Sequence, residues 1–136
     1  MKLTDAHLMI NKICGKQYFV FSELKCKCGC GFCNVDYDAL KMLVKARVIL
    51  GKPIILNSAY RCERHNAVVG STTNNHTSGV AFDIRCENGA YRLKLIEALL
   101  MTGFERIVVY PDFIHVDNNL NYSKGLWLKI KSKKNE

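Results

Sequence analysis

A chain of 136 residues, 49% hydrophobic and 24% charged, is long enough for one domain with its own core, and its composition excludes a disordered or low-complexity protein. A formal charge of +8 points to polyanions as partners, nucleic acid or the anionic polymers of a bacterial wall among them. No stretch reaches the roughly 18 consecutive apolar residues of a membrane span, and the opening Met1-Lys2-Leu3-Thr4-Asp5-Ala6-His7 lacks a signal-peptide core, so the protein is expected to be made in the cytosol and to stay there until released.

In chain order, Thr4 or Asp5 caps an expected helix to about Ile13, ended by Gly15. Phe19-Val20-Phe21 reads as a short strand and Ser22-Glu23-Leu24 as a turn. The segment Cys26-Lys27-Cys28-Gly29-Cys30-Gly31-Phe32-Cys33 is too glycine-rich for a helix and reads as a loop. Asp36 then caps a strong helix whose stripe holds Leu40, Leu43, Val44 and Leu50, stopped by Gly51 and Pro53. Pro53 to Ser58 reads as a strand buried on both faces, with Arg61 leaving its end. Glu63 to Val69 makes one or two helical turns, and 71–75 is a polar loop. Val80 to Arg85 alternates as a strand, with Ala81 and Asp83 on one side and Phe82 and Ile84 on the other. Asn88 caps a helix from about Gly89 to Thr102, ended by Gly103. Phe104 to Tyr110, a Pro111-Asp112 turn and Phe113 to Asp117 form an antiparallel pair, and Trp127 to Lys131 adds an edge strand. The fold class is α+β: a small, mainly antiparallel sheet flanked by helices, in one domain over 1–136 with a basic tail from about 129.

Chemistry concentrates at His76, Asp83 and His115, in His76-Thr77-Ser78-Gly79-Val80-Ala81-Phe82-Asp83-Ile84 and Tyr110-Pro111-Asp112-Phe113-Ile114-His115-Val116-Asp117. Singly, each is more often a surface or capping residue than a ligand. Together, at the ends of expected strands, two imidazoles and a carboxylate make a zinc site with a fourth position left for water, the catalytic arrangement. Asp112 is then placed to take a proton from that water. Gly79 lets the backbone fold tightly behind His76, and Asp117 is a candidate to accept a hydrogen bond from a neighbouring group.

With Asn57-Ser58-Ala59-Tyr60-Arg61 before them, these strings resemble the zinc D-Ala-D-Ala carboxypeptidase and L-Ala-D-Glu endopeptidase family, peptidase family M15, especially its small phage-type members. The resemblance runs from about Phe21 to beyond Val116. It implies the zinc fold shared with the signalling domain of hedgehog proteins, His76, Asp83 and His115 as zinc ligands, Asp112 as general base, and Arg61 as the residue that contacts substrate and steadies the oxyanion. It also implies a peptidoglycan stem peptide as substrate. The setting it implies is a monomeric phage-type lytic enzyme that acts on the cell wall after release. One departure is Asn74, where relatives often carry Ser two residues before the first histidine; it puts one substrate contact in doubt.

Seven cysteines, an odd number, exclude a complete disulfide framework. Cys26, Cys28, Cys30 and Cys33, with Cys62 to complete the set, are read as a second, structural metal site, as reduced thiols, or as disulfides formed after release. Two other functional classes fit the composition. A basic zinc-containing nucleic-acid-binding module suits the charge, but no RNA-binding aromatic motif or recognition-helix pattern is present, so no nucleic acid is expected. A non-catalytic wall-binding or virion protein of the same fold has no need of Asp112.

Overall fold

The computed structural model describes residues 12–13 and 16–131. The expected helix from Thr4 lies mostly outside them. Its last residues do not end a helix: β1 (Lys12–Ile13) pairs antiparallel with β2 (Lys16–Gln17).

The Phe19–Phe21 strand is not formed. Phe19 is buried in the core, and Phe21 opens a one-turn helix, α1 (Phe21–Leu24). Local hydrogen bonds decide this: the Glu23 carboxylate accepts from the Val20 N–H at 3.0 Å, while the Val20 carbonyl accepts from the Glu23 N–H at 3.0 Å. The turn drives Leu24 into the core.

The two long helices follow the caps. α2 (Tyr37–Leu50) starts where the Asp36 side chain accepts from the Ala39 N–H at 3.0 Å, and ends at Gly51 with φ 69°. After β3 (Leu56–Ser58) and α3 (Glu63–Val68) comes β4 (Ala81–Arg85), then α4 (Gly89–Met101). Asn88 caps α4 by accepting from the Ala90 and Tyr91 N–H groups at 2.8 and 3.1 Å. Ala39, Leu40, Leu43, Val44 and Ala46 of α2 join Leu95, Ala98 and Leu99 of α4 in one core, and the two helices pack together.

The sheet is completed by β5 (Arg106–Val109), β6 (Phe113–Asp117) and β7 (Gly125–Leu128), in the order β3-β4-β6-β5-β7. All pairs are antiparallel except β5 with β7, so the expected C-terminal edge strand exists but starts at Gly125 and runs parallel to its neighbour. The apolar run before Ser58 is not a strand buried on both faces. β3 is a sheet edge, Ile55 is 53% exposed and Asn57 is exposed.

Register divides the sheet into two faces with different chemistry. Phe82 lies opposite Val116 and Ile84 opposite Ile114, and Val116 lies opposite Ile107; all five are core residues. The alternate positions put Asp83 opposite His115, Ala81 opposite Asp117, and Arg106 opposite Asp117. Side chains of directly paired residues share a face, so the polar groups gather on the side away from the core.

Candidate metal centre

Each of the three expected ligands reaches the site by a different device. Asp83 sits mid-strand in β4, 0% exposed, and the register delivers His115 directly across from it. His76 comes from the loop before β4. The Arg61 N–H donates to the His76 carbonyl at 3.2 Å, and the His76 ring Nδ1 lies 2.7 Å from the Ala59 carbonyl oxygen. Gly79 closes this loop with φ 72°, and a β-carbon there would stand 2.0 Å from the Asn34 carbonyl oxygen. Only glycine allows that approach, in which the Asp36 N–H donates to the Gly79 carbonyl at 2.8 Å.

The donor atoms of His76, Asp83 and His115 all lie within 4.8 Å of one another. His76 Nε2 is 3.3 Å from Asp83 Oδ2, and His115 Nδ1 is 2.9 Å from Asp83 Oδ1. Tetrahedral zinc with bonds of about 2.0–2.1 Å requires donors about 3.3–3.4 Å apart, so the trio fits with small adjustments. A second observation supports the fit: His76 Nε2 is buried and has no hydrogen-bond partner among the described residues. A buried, unbonded imidazole nitrogen is costly unless something else takes its lone pair.

The outer nitrogens are fixed as metal-binding histidines require. His76 Nδ1 is held by the Ala59 carbonyl, and His115 Nε2 lies 2.7 Å from Asp117 Oδ2. The other Asp117 oxygen accepts from Arg106 Nε at 2.8 Å and from the Asn119 N–H at 3.0 Å. Burial disfavours the charged form of Asp117, but bonds from His115 and Asn119 and the charges of His115 and Arg106 outweigh it and hold its carboxyl below the ordinary range. Burial likewise opposes charging of His115. Its hydrogen bonds to Asp117 and Asp83, and their negative charges, win and raise its pKa to about 9. Without a metal, then, the His115 ring is a cation clamped between two carboxylates.

Arg61 is 2% exposed. Its guanidinium donates to Asn66 Oδ1 at 3.0 Å and Ser58 Oγ at 3.2 Å, and stands 3.9 Å from Asp83 Oδ2. Ser58 arrives there through a register shift in β3: Leu56 pairs with Ile84, but Ser58 pairs with Asp83. Arg61 also lines a cleft of about 350 Å³ with Lys27, Ser58 and His65. Asp112 is exposed in the β5–β6 turn, where its carbonyl accepts from the Cys86 N–H at 3.0 Å. It lies three residues before His115, about 10 Å along an extended chain.

Sequence reasoning missed Asn119. Its amide donates to Asn74 Oδ1 at 2.9 Å and Asn75 Oδ1 at 2.7 Å, tying the end of β6 to the His76 loop. Asn74 therefore braces that loop. The asparagine cluster Asn74-Asn75 with Asn118-Asn119 was a visible signal, but nothing local says that the two pairs meet.

Compared with known proteins, residues 17–117 match the family model described as Peptidase M15. A search of curated proteins finds no match.

Proposed function

The chain belongs to the Peptidase M15 family, and from that premise we propose that it is a zinc peptidase that cuts the stem peptide of bacterial peptidoglycan. The observation that supports zinc most is the buried His76 Nε2, left without a hydrogen-bond partner among the described residues beside Asp83 and His115. His76 through Nε2, Asp83 through a carboxylate oxygen and His115 through Nδ1 would hold the ion. Bound zinc supplies a Lewis acid and a water activated near neutral pH.

The protein's own groups do the rest. Asp112 is proposed as the base that takes the proton of the attacking water and passes it to the leaving amine. Asp117 is a poor candidate, since His115, Arg106 and the Asn119 N–H already occupy its oxygens and favour its anion. Arg61, pinned by Asn66 and Ser58, presents a fixed positive charge to the developing oxyanion. Lys27 beside it makes the adjoining cleft suited to a substrate carboxylate, while burial and the Arg61 charge lower the His65 pKa and favour its neutral ring. The charge of +8 favours approach to an anionic wall. Among the described residues no helix is long and apolar enough to cross a membrane. A monomeric lytic enzyme of the phage type, reaching the wall after release, is the setting proposed.

The test is digestion of purified peptidoglycan by the zinc-loaded protein, with mass spectrometry of the released muropeptides. New amino groups and one defined cleavage are expected, and the mass lost distinguishes removal of a terminal D-alanine from a cut within the stem. Asp112→Asn should keep zinc while turnover drops about 100- to 10,000-fold. Parental turnover in that variant would remove Asp112 from the mechanism.

A further inference from the structure

A second set of donors stands apart from His76, Asp83 and His115. The sulfurs of Cys26, Cys28, Cys30 and Cys62 all lie within 4.8 Å of one another. Cys26 Sγ is 3.4 Å from Cys28 Sγ, and Cys28 Sγ is 3.6 Å from Cys62 Sγ. Four thiolates on tetrahedral zinc, at bonds of about 2.3 Å, stand about 3.8 Å apart. A disulfide needs its sulfurs about 2.05 Å apart, and among the described residues no disulfide is formed.

We propose that Cys26, Cys28, Cys30 and Cys62 hold a second, structural zinc ion. The loop is built for it. Gly29 and Gly31, with φ 87° and 80°, turn the chain between the three loop sulfurs, and the Cys26 N–H closes the loop on the Phe32 carbonyl at 2.9 Å. Backbone donors already face the sulfurs: the Cys62 N–H points to Cys26 Sγ at 3.3 Å and the His65 N–H to Cys62 Sγ at 3.4 Å. Such bonds suit sulfur that carries negative charge. A four-thiolate zinc centre has a net charge of −2, and Lys25, Lys27, Arg61 and Arg64 flank its ligands in sequence. Soft thiolates select zinc over the hard cations. With all four positions filled by protein, the site has no room for water or substrate, which is the structural arrangement.

The ion would join segments 36 residues apart in sequence at the point where Arg61 precedes Cys62. The Tyr60 N–H already reaches the Leu24 carbonyl there at 3.2 Å. The second zinc thus fixes the strand end that carries Arg61 without touching the first. Cys33 is not a ligand: it is 1% exposed, packed in the core, and burial raises its thiol pKa.

Native mass spectrometry of the zinc-loaded chain tests this. Two zinc ions are expected in the parent, one in His76→Ala/His115→Ala, and one in Cys28→Ser/Cys62→Ser. Cobalt added to the histidine double variant should give intense thiolate-to-cobalt charge-transfer absorption, since only the cysteine site supplies sulfur. A chelator should lower the melting temperature of that same variant. If the histidine variant binds no zinc and its cobalt form lacks thiolate bands, the proposal fails, whatever the cysteine variant does. If the first site were misread, the parent would hold one zinc that survives the histidine changes, so the two failures look different.

Discussion

Asp117→Asn separates positioning from ligation at the proposed metal centre. The asparagine has the same shape, but one of its two acceptors becomes an NH₂ donor. In the parent, Oδ1 receives two donors, Arg106 Nε and the Asn119 N–H, and Oδ2 faces His115 Nε2. If the amide keeps its oxygen toward Arg106 and Asn119, its NH₂ faces His115 Nε2. That nitrogen must then accept, which puts the imidazole proton on Nδ1, the atom aimed at Asp83 and the metal. If the amide flips, its NH₂ meets the Arg106 cation and the Asn119 N–H, leaving two donors buried without an acceptor. Either arrangement is costly. Loss of an outer hydrogen bond to a metal-binding histidine weakens the site about 10- to 100-fold. The Asp117 bond is 2.7 Å long and the carboxylate is 0% exposed, so the upper end is expected, about 2.7 kcal/mol. Competition with a chromophoric chelator measures this directly, with Asp112→Asn as the control expected to bind zinc like the parent. A folded Asp117→Asn protein with zinc affinity within about threefold of the parent would refute the tautomer argument.

Gly79→Ala combines a positive φ with a β-carbon 2.0 Å from a backbone oxygen, so the His76 loop must leave the start of α2. The left-handed backbone alone costs about 1–2 kcal/mol, and with the clash the melting temperature should fall by about 10 °C or more, read by calorimetry. In the metal-free protein the raised His115 pKa stabilises the fold fully below about 6.5 and ceases to do so as pH rises through about 9. Melting temperature of the chelated protein should therefore fall over that window, and a His115→Gln variant should lack this decline. Zinc must displace the His115 proton, so near pH 7.5 binding should release about one proton from this residue, seen as a buffer-dependent heat in titration calorimetry.

What could be read from sequence was what local chemistry decides. Asp36, Gly51 and Asn88 mark helix boundaries because caps act within one turn, and α2 and α4 begin and end there. His76 and Asp83 are linked by a tight loop, whereas His115 arrives on β6, the second strand of the β5–β6 hairpin, and meets Asp83 only because β6 pairs with β4, a pairing that strand alternation permits and the fold supplies. Ser22-Glu23-Leu24 reads as a turn and becomes most of α1; the strand expected at Phe19-Val20-Phe21 rests on apolar character alone, while the deciding contact is one carboxylate on one backbone N–H. Ser58 beside Arg61 was out of reach, because it depends on a register shift that no residue type announces.

The cysteines mark the boundary most clearly. Cys26, Cys28, Cys30 and Cys33 form one group by proximity in sequence, with Cys62 as the residue to complete it; the structure gathers Cys26, Cys28, Cys30 and Cys62 and leaves Cys33 in the core. Part of the reason is local. From Phe32 to Val35 burial alternates: Phe32 and Asn34 are exposed, Cys33 and Val35 buried. A segment of period two gives Cys33 the face of Val35, and that face is the core. The other half was not local. Cys62 joins the loop because the chain beyond β3 returns past Leu24, an encounter fixed by the Tyr60–Leu24 backbone hydrogen bond and not by any spacing of cysteines. A thiol cluster assembled from one loop and one distant strand end therefore takes its fourth member from the tertiary fold.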